Sequence, residues 1–369
     1  MEECTMLTED KKITTFQTAV IISNCMLGSG ILTLPRVLAD SMKNSDGWLS
    51  LIIGGFLVML AGLCIVKLCR RFPGKTIFQF STDLMGKWLG SVFNVGLALF
   101  YIFIAAFELR VMFEVTTLYL LEQVPRWTIL MAFIWVGLYI VLGGLGAIAR
   151  LFEIILPITI VVFVISLLLS SKIFEIDNLL PVLGDGVFPV LKGVGSTVLV
   201  FLGHELMFIL TPEMQQPEKA GKAVVMGITV PLFLNLIAFI MVIGGMSVHG
   251  AISSTWPTVD LLRSFEIKGL FFERFDFFLL VIWIMQILTT FSILQYTSSI
   301  GFAQTFRINN KPILYFSMPL IFIIASVPRD VNELLSFSGV FGEIGVSLFM
   351  ILPPIMLLYA VIFKKGGVR

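Results

Sequence analysis

Apolar runs of about 20 residues, separated by short polar segments, recur along the whole chain. A helix needs roughly 20 apolar residues to cross the hydrocarbon core of a bilayer, so each run predicts a membrane-spanning helix. The pattern predicts ten spans, at residues 15–38, 47–66, 90–121, 127–143, 147–170, 190–212, 222–247, 274–304, 312–327 and 336–362. The predicted fold class is therefore all-α integral membrane protein, with a single transmembrane domain over residues 1–369 in contact with the lipid bilayer.

Two polar segments predict additional short helices outside the spans. The stretch 76–87, "TIFQFSTDLMGK", predicts an interfacial helix before the third span. The longest polar connection, 248–273, contains Trp256 and Pro257, and proline is favoured at the first position of a helix. We expect that connection to hold a short helix packed over the protein.

Composition narrows the class of protein further. Hydrophobic residues make up 57% of the 369 residues and charged residues 13%, whereas soluble domains carry about 25% charged residues. The net charge of +1 gives no indication of a nucleic-acid partner. Cys4, Cys25, Cys64 and Cys69 have neither metal-site spacing with histidine nor the pattern of a disulfide framework. The sequence shows no nucleophile with its base and no phosphate-binding loop, so we expect no enzyme activity, cofactor or metal.

Positive charge predicts the orientation of the chain in the membrane. The N-terminal segment lacks a basic region before an apolar core, so we expect no cleavable signal peptide. With the N-terminus in the cytoplasm, fifteen of the 25 lysines and arginines belong to the cytoplasmic side, nine belong to the opposite side, and Arg110 lies inside a span. Lys and Arg accumulate on the cytoplasmic side, so both termini are predicted to be cytoplasmic.

The number of spans predicts an internal repeat. Five spans in each half place the second half upside down relative to the first, which is the inverted-repeat arrangement of many secondary transporters. The repeats extend approximately over residues 13–172 and 186–363, so the first and sixth spans are expected to correspond. Both are interrupted by glycine, in "NCMLGSGILTLPR" (24–36) and "FLGHELMFILTPE" (201–213).

A helix that unwinds in a membrane leaves backbone groups free, which is tolerated only where protein or water surrounds them. A half-helix that begins after such a break suits a carboxylate, and one that ends there suits an ammonium group. Two facing breaks therefore predict a pocket for a small zwitterion, with Gly28, Ser29 and Gly30 as one wall. Close helix packing through small residues is the alternative interpretation.

Charged residues inside spans are candidates for function because they are costly in lipid. In the third span, Arg110 and Glu114 are four residues apart, which predicts a structural ion pair. Glu108 shares a helix face with Tyr101 and Ala105, as a pocket wall would. It is either a site or proton-linked residue, or a buried and hydrogen-bonded packing residue.

The sixth, eighth and tenth spans supply further polar candidates. Glu205, beside the glycine of the sixth span, is the strongest, and its neighbour His204 is either proton-linked or a neutral hydrogen-bonded residue. The eighth span contributes Thr289 and Thr290, although hydroxyls in helices also bond their own backbone. Glu343, in the glycine-rich part of the tenth span, is interpreted as a hydrogen-bonded acid in a packing helix.

Several segments together resemble one known family. They are "MLGSGILTLPR", "GW" (47–48), "GKWLG" (86–90), "FLGHELMF", "WPT" (256–258) and "FEIKGLFFERFDFFLLVIW" (265–283). This combination resembles the B-subunit family of bacterial spore germinant receptors, over essentially the whole chain. That family is similar to amino-acid permeases of the amino acid–polyamine–organocation superfamily.

The resemblance implies a LeuT-like fold and a nutrient-sensing membrane subunit in the inner membrane of the spore, with a receptor A subunit and a lipoprotein C subunit as partners. It implies a ligand, by default L-alanine or another small amino acid, held between the broken first and sixth spans. The residues that it nominates by position are Gly28, Ser29, Gly30, Tyr101, Ala105, Phe201, Leu202, Gly203, Glu205, Thr289 and Thr290. Two alternatives use the same architecture: an amino-acid transporter coupled to protons through Glu108 or Glu205, and an ion-conducting subunit opened by the ligand.

Overall fold

The structure, a computed structural model, describes residues 12–121, 123–264 and 275–367, except for the side chains of Leu199, Phe275 and Asp276. Apart from one isolated bridge, the regular structure of the described residues is helical. The α-helices are α1 (Thr15–Leu27), α2 (Gly30–Met42), α3 (Gly47–Arg71), α4 (Ile77–Met85), α5 (Lys87–Tyr119), α6 (Arg126–Leu142), α7 (Leu145–Leu169), α8 (Phe188–Val200), α9 (Met207–Leu210), α10 (Ala220–Ser253), α11 (Pro257–Arg263), α12 (Phe275–Phe306), α13 (Asn310–Ser326), α14 (Val331–Val346) and α15 (Leu352–Ile362).

Six of the described helices are long and apolar enough to cross a membrane, and the bent pair α1 and α2 makes a seventh span if it is counted as one. The six contain α3, α5, α7, α10, α12 and the joined helices α14 and α15. Two further apolar helices, α6 and α13, have 17 residues each, which is the lower limit of about 17–25 residues for a span. The chain is therefore a multi-pass helical membrane protein, as its hydropathy predicts.

The helices pack in two groups. In one group, α10 packs along α1, α2 and α3, and α8 fills the space between α2 and α3. In the other group, α12 packs along α5, α6 and α13, while the short helix α4 lies against α5. Helix α7 contacts both α1 and α12, so it joins the two groups.

The helix starts show why the sequence folds this way locally. Thr14 precedes α1, and its hydroxyl accepts a hydrogen bond from the amide of Gln17, whose side chain accepts one from the amide of Thr14. Thr76 and Gln79 form the same capping box at α4. These reciprocal bonds satisfy amides that a helix start otherwise leaves free. Helix α4 confirms that the stretch 76–87 forms a short helix, and its position at the membrane interface stays a prediction.

Both predicted interruptions are present. Helix α1 ends at Leu27, and the chain bends by 51° before α2 begins at Gly30. Helix α8 ends at Val200, and residues 201–203 separate it from the short helical turns of residues 204–213. Gly203 there has φ +139°, a conformation that residues with a side chain rarely adopt.

The segment after α10 differs from its prediction. Helix α10 continues to Ser253 and contains a kink at Ser247, where φ is 60°, so the polar connection is shorter than 248–273. Helix α11 confirms the short helix that begins at Pro257. The remainder of this connection, from 265 to 274, lies outside the described residues and includes part of the "FEIKGLFFERF" run.

The Arg110–Glu114 ion pair is confirmed, whereas the interpretation of Glu343 holds for the glycine packing of its helix and not for a buried position of the acid. Arg110 is fully buried, its Nη2 lies 2.7 Å from Oε1 of Glu114, and its Nη1 donates to the carbonyl of Ala325. Glu343 is exposed on the outer side of α14, because that helix packs inward through Gly342 and Gly345 on either side of it.

The described cysteines are Cys25, Cys64 and Cys69, and all three are free thiols; Cys4 lies outside the described residues. Within the described ranges, no cluster of three histidine, cysteine or acidic residues could hold a metal ion.

A backbone bridge closes one end of the bundle. Ile13, just before α1, pairs with Met214, just after the broken sixth span. The amide of Ile13 donates to the carbonyl of Glu213, and the amide of Gln215 donates to the carbonyl of Ile13, both at 2.9 Å. The two interrupted spans are thus tied together at the end where α1 begins.

Candidate functional site

A cavity of about 500 Å³ lies between the two breaks. Residues of α1, α2, α5, α8, α12 and α14 line it, together with Leu202, Gly203, Glu205 and Leu206 at the second break and Thr255 and Trp256 before α11. Its volume falls within the range of about 300–1,000 Å³ that is usual for small-molecule sites. The predicted pocket position between the first and sixth spans therefore coincides with a real cavity.

The first wall is built on the break before α2. The hydroxyl of Ser29 donates a hydrogen bond of 2.9 Å to Oε1 of Glu108, which projects from α5. Gly28 allows this approach, since a Cβ added there would lie 3.2 Å from the same oxygen. Oε2 of Glu108 has no hydrogen-bond partner in the structure, although the residue is only 8% exposed.

Helix α12 satisfies the backbone that the first break exposes. Trp283 donates from Nε1 to the carbonyl of Gly28 at 2.9 Å, and Gln286 donates to the carbonyl of Asn24 at 3.4 Å. The side-chain amide of Asn24 in turn donates to the hydroxyl of Thr289 at 3.2 Å. A free carbonyl in a membrane protein needs such donors. That requirement is the signal that could have singled out Trp283 from the sequence.

The second wall is built on the break after α8. The amide of Gly203 donates to Oε2 of Glu205 at 2.5 Å, so the acid folds back on the break. A Cβ at Gly203 would lie 2.9 Å from Cγ of Met26, so a side chain has no room there. At the first break, a Cβ at Gly30 would lie 2.5 Å from a methyl carbon of Val200. The glycines let the two breaks approach each other closely.

His204 does not line the cavity. Its ring is fully buried, with Nδ1 3.4 Å from the carbonyl of Phe201 and Nε2 3.4 Å from the carbonyl of Phe349. Phe349 lies in the π-helix Ser347–Ile351 that joins α14 to α15. His204 therefore connects the second break to the last span, and its role as a proton-linked residue stays a prediction.

The predicted site residues divide into two groups. Those that line the cavity are Ser29, Gly30, Leu202, Gly203, Glu205 and Thr290, together with the acid Glu108. Those that are not on its wall are Gly28, Tyr101, Ala105, Phe201 and Thr289. The ring of Tyr101 is buried against Phe349, with ring centroids 6.3 Å apart, and Thr289 is turned toward Asn24 and the carbonyl of Gln286. The resemblance therefore predicted these five residues on the wall of the pocket, whereas the structure places them behind that wall.

Several lining residues were missed by sequence reasoning. They include Thr33 and Arg36 on α2, Ser196 on α8, Trp256 before α11 and Ser338 on α14. Thr33 and Arg36 lie four and seven residues after Ser29, so helical periodicity alone could have found them. Ser338 could not have been found in this way, because only the packing of α14 brings it to the cavity.

The cavity reaches the end of the molecule where α2 ends. Its lining continues along α2 to Asp40 and Ser41, and Asp40 is exposed beside Lys43. At the opposite end, the Ile13–Met214 bridge ties the two broken spans together. The structure is thus open toward one side of the predicted membrane and closed toward the side of the N-terminus.

Comparison with known proteins places this chain in a family. Residues 12–334 match the family described as "Spore germination protein". Spore germination protein YndE of Bacillus subtilis (strain 168) is 44% identical over 361 residues, covering 98% of this chain and 99% of that one. Spore germination protein A2 of the same organism is 35% identical over 354 residues, covering 96% of each chain. The chain belongs to the spore germination protein family, which confirms the resemblance seen in its motifs.

A solved structure supports the permease-like fold. Mhp1, a nucleobase-cation-symport-1 family transporter in a closed conformation with bromovinylhydantoin bound, aligns with a TM-score of 0.66. The alignment covers 96% of this chain and 80% of that one at 12% identity. A likeness at this identity concerns the fold, which is that of a membrane transporter.

Proposed function

We propose that this chain is the nutrient-sensing membrane subunit of a bacterial spore germination receptor, and that a small germinant binds in the cavity between the two breaks. The observation that carries the proposal is the cavity itself, which lies where two interrupted helices meet. Two buried oxygens on its wall, Oε2 of Glu108 and Oγ1 of Thr290, have no partner in the structure. Buried polar atoms without partners are costly, so they suit a ligand that supplies hydrogen bonds.

The proposed architecture is ten spans in two inverted repeats, over about 13–172 and 186–363, with both termini in the cytoplasm. The two interruptions support it, because they occur in the first and sixth predicted spans. The grouping of helices also supports it, since α1, α2 and α3 from the first half pack with α8 and α10 from the second. With this orientation, the cavity opens away from the cytoplasm.

The proposed ligand is L-alanine or another small amino acid, and the proposed partners are a receptor A subunit and a lipoprotein C subunit in the spore inner membrane. The proposed ligand-binding set keeps Ser29, Gly30, Leu202, Gly203, Glu205 and Thr290 from the sequence. Gly28, Tyr101, Ala105, Phe201 and Thr289 are retained as supporting residues behind the wall. Glu108, His204 and Glu205 are the candidates for proton linkage.

A proton-coupled amino-acid transporter is the second candidate, and the likeness to a transporter fold favours it. Transport requires a state open to the opposite side, in which the Ile13–Met214 bridge must separate. A ligand-opened ion-conducting subunit is the third candidate, since polar residues of the third, sixth and eighth spans could line a wet path. A sensor needs the ligand site alone.

Purified full-length protein in proteoliposomes tests these candidates. Equilibrium binding and time-dependent uptake of labelled L-alanine are measured, with Gly203→Leu as the variant that fills the second break. Saturable binding without accumulation, lost in Gly203→Leu, supports the sensor. Accumulation driven by a proton gradient supports the transporter instead. Absence of binding overturns the assignment of L-alanine as ligand.

A further inference from the structure

Two proline-containing motifs of the sequence meet beside the first break. They are "LTLPR" (32–36) in α2 and "WPT" (256–258) at the start of α11. Helix α11 packs along α2, and Thr258, its second residue, is fully buried where the two helices meet. This contact joins two segments that are more than 200 residues apart in the chain.

Pro35 leaves one backbone carbonyl of α2 without its usual donor. In an α-helix the amide of each residue donates to the carbonyl four residues earlier, and proline has no amide hydrogen. The residue four positions before Pro35 is Ile31, in the first turn of α2. Ile31 is buried, and a buried carbonyl without a donor is costly. The carbonyl of Ile31 therefore needs a donor from outside its own helix.

Thr258 supplies that donor. Its hydroxyl donates to the carbonyl of Ile31 at 2.9 Å, in a buried hydrogen bond. A side chain of α11 thus replaces the bond that Pro35 removes from α2. The bond lies directly beside Ser29 and Gly30, the two residues of the first break that line the cavity. It therefore acts on the part of α2 that forms the first wall of the site.

The same motif also contributes to the cavity wall. Trp256 lines the cavity, and its side chain is fully buried. Pro257 begins α11, at a helix position where its fixed φ is favourable. Two residues on either side of this proline therefore serve the site, since Trp256 lies on its wall and Thr258 lies on the half-helix that carries the first break.

Helix α11 is anchored independently of α2. Asp260 accepts hydrogen bonds from the hydroxyl of Tyr119 at 2.8 Å and from the hydroxyl of Ser254 at 2.5 Å. Tyr119 is the last residue of α5, and Ser254 follows α10. Leu261 packs on α10 so closely that a Cβ at Gly245 would lie 2.5 Å from its Cδ1. Helix α11 is thus fixed to α5 and α10, and this fixed helix can hold α2 in place.

We propose, on the basis of the function proposed above, that Thr258 is a positioning residue of the ligand site, and that it holds the first turn of α2 through the carbonyl that Pro35 leaves free. In the proposed site the ligand contacts Ser29 and Gly30, so Thr258 acts on the ligand through these two residues. Pro35 and Thr258 form a matched pair, because the hydroxyl is required only where the helix lacks its own amide donor.

A native thiol reports on the first break without any ligand. Cys25 is half-buried on the cavity wall, whereas Cys64, in α3, is half-buried outside it. Full-length protein in lipid nanodiscs retains one of these two thiols, with the other native cysteines replaced by alanine, and its rate of modification by a small thiol reagent is measured. Thr258→Val should speed modification of Cys25 by about tenfold, because it leaves a buried carbonyl without a donor. Cys64 should be unaffected, and Thr258→Ser, which keeps the hydroxyl, should behave as the parent protein.

Pro35→Ala tests the pairing. Alanine restores the amide hydrogen at position 35, so Thr258→Val should have no effect on Cys25 in the Pro35→Ala background. Equilibrium binding of L-alanine to the same proteins should follow the same order. We expect Thr258→Val to weaken L-alanine by about tenfold in the parent protein and to leave its affinity unchanged when Pro35→Ala is present.

Each outcome decides the proposal. An equal effect of Thr258→Val in both backgrounds overturns it, as does an unchanged rate at Cys25, an equal change at Cys64, or unchanged affinity for L-alanine where the parent binds it. Folded protein from Thr258→Val only in combination with Pro35→Ala supports the pairing, and no folded protein in either background overturns it. Absence of L-alanine binding by the parent protein overturns L-alanine as the ligand, and the thiol rates then decide the role of Thr258 alone.

Discussion

The hydroxyl of Ser29 donates a hydrogen bond of 2.9 Å to Oε1 of Glu108. Ser29 belongs to the break in the first span and Glu108 to the third, so this bond joins the two groups of helices at the cavity. A ligand that binds the free oxygen of Glu108 would act on both groups at once. This contact is where occupancy of the cavity can change the packing of the bundle.

Gly203→Ala should destabilise the protein and weaken ligand binding. Its φ of +139° disfavours any residue with a side chain, and the added Cβ would lie 2.9 Å from Cγ of Met26. We expect a loss of about 1–3 kcal/mol in stability from the backbone conformation alone. Gly195→Ala is the matched control, because a Cβ at this position in α8 meets nothing within 4 Å. Equal thermal midpoints and equal affinities in the two variants would contradict the role given to Gly203 in the second wall of the cavity.

Trp283→Phe should destabilise the protein at the break between α1 and α2. The substitution removes the indole donor of the carbonyl of Gly28 and leaves that buried oxygen without a partner, at a cost of about 1–3 kcal/mol. Trp88→Phe is the control, since Trp88 is 86% exposed. The thermal midpoint in detergent should fall for Trp283→Phe and remain unchanged for Trp88→Phe. A fall of the same size in both would show that loss of the indole, and not this bond, is responsible.

Arg110→Ala should lower the amount of folded protein. Removing one partner of a buried ion pair costs about 3–5 kcal/mol, because Glu114 remains as an uncompensated charge. The double substitution Arg110→Leu with Glu114→Leu should recover most of the loss. Lys43→Ala breaks an exposed pair with Asp40 and should have no measurable effect. Normal protein level with loss of the germination response in Arg110→Ala would instead assign Arg110 to the function.

A disulfide between positions 13 and 214 should leave ligand binding intact and abolish any transport. Paired backbone segments lie about 4.8 Å apart, within the range of about 4.4–6.8 Å for disulfide-linked Cα atoms. The pair Ile13→Cys with Met214→Cys is introduced after the native cysteines are replaced by alanine, and binding and uptake are compared before and after oxidation. Loss of binding on oxidation, recovered on reduction, would show that the ligand enters from the closed end.

Much of the fold can be predicted from the sequence, because apolar runs mark the spans and glycines mark the breaks within them. The first break is visible in residues 28–30, since small residues stand where a spanning helix should be apolar. The pair Arg110 and Glu114 is equally visible, because four-residue spacing places both side chains on one helix face.

The sequence does not show whether a predicted site residue lies on the cavity wall, behind it or on the outer surface. Tyr101 and Thr289 lie behind the cavity wall, where Tyr101 packs against Phe349 and Thr289 accepts a hydrogen bond from Asn24, both distant in the chain. Glu343 is exposed because α14 has its small residues, Gly342 and Gly345, on the packed side. Such outcomes depend on how the helices rotate about their axes when they pack, and hydropathy does not encode that rotation.

Protection of one cavity residue by ligand tests the central claim most directly. Ser196→Cys places a thiol on the cavity wall, and Ser253→Cys places one on an exposed surface outside it, each in the chain whose native cysteines are replaced by alanine. The rate of modification by a small thiol reagent is measured with and without saturating L-alanine. The account predicts that L-alanine slows modification at position 196 severalfold and leaves position 253 unchanged. Equal rates at position 196, with L-alanine bound to the same protein, would show that the ligand lies elsewhere.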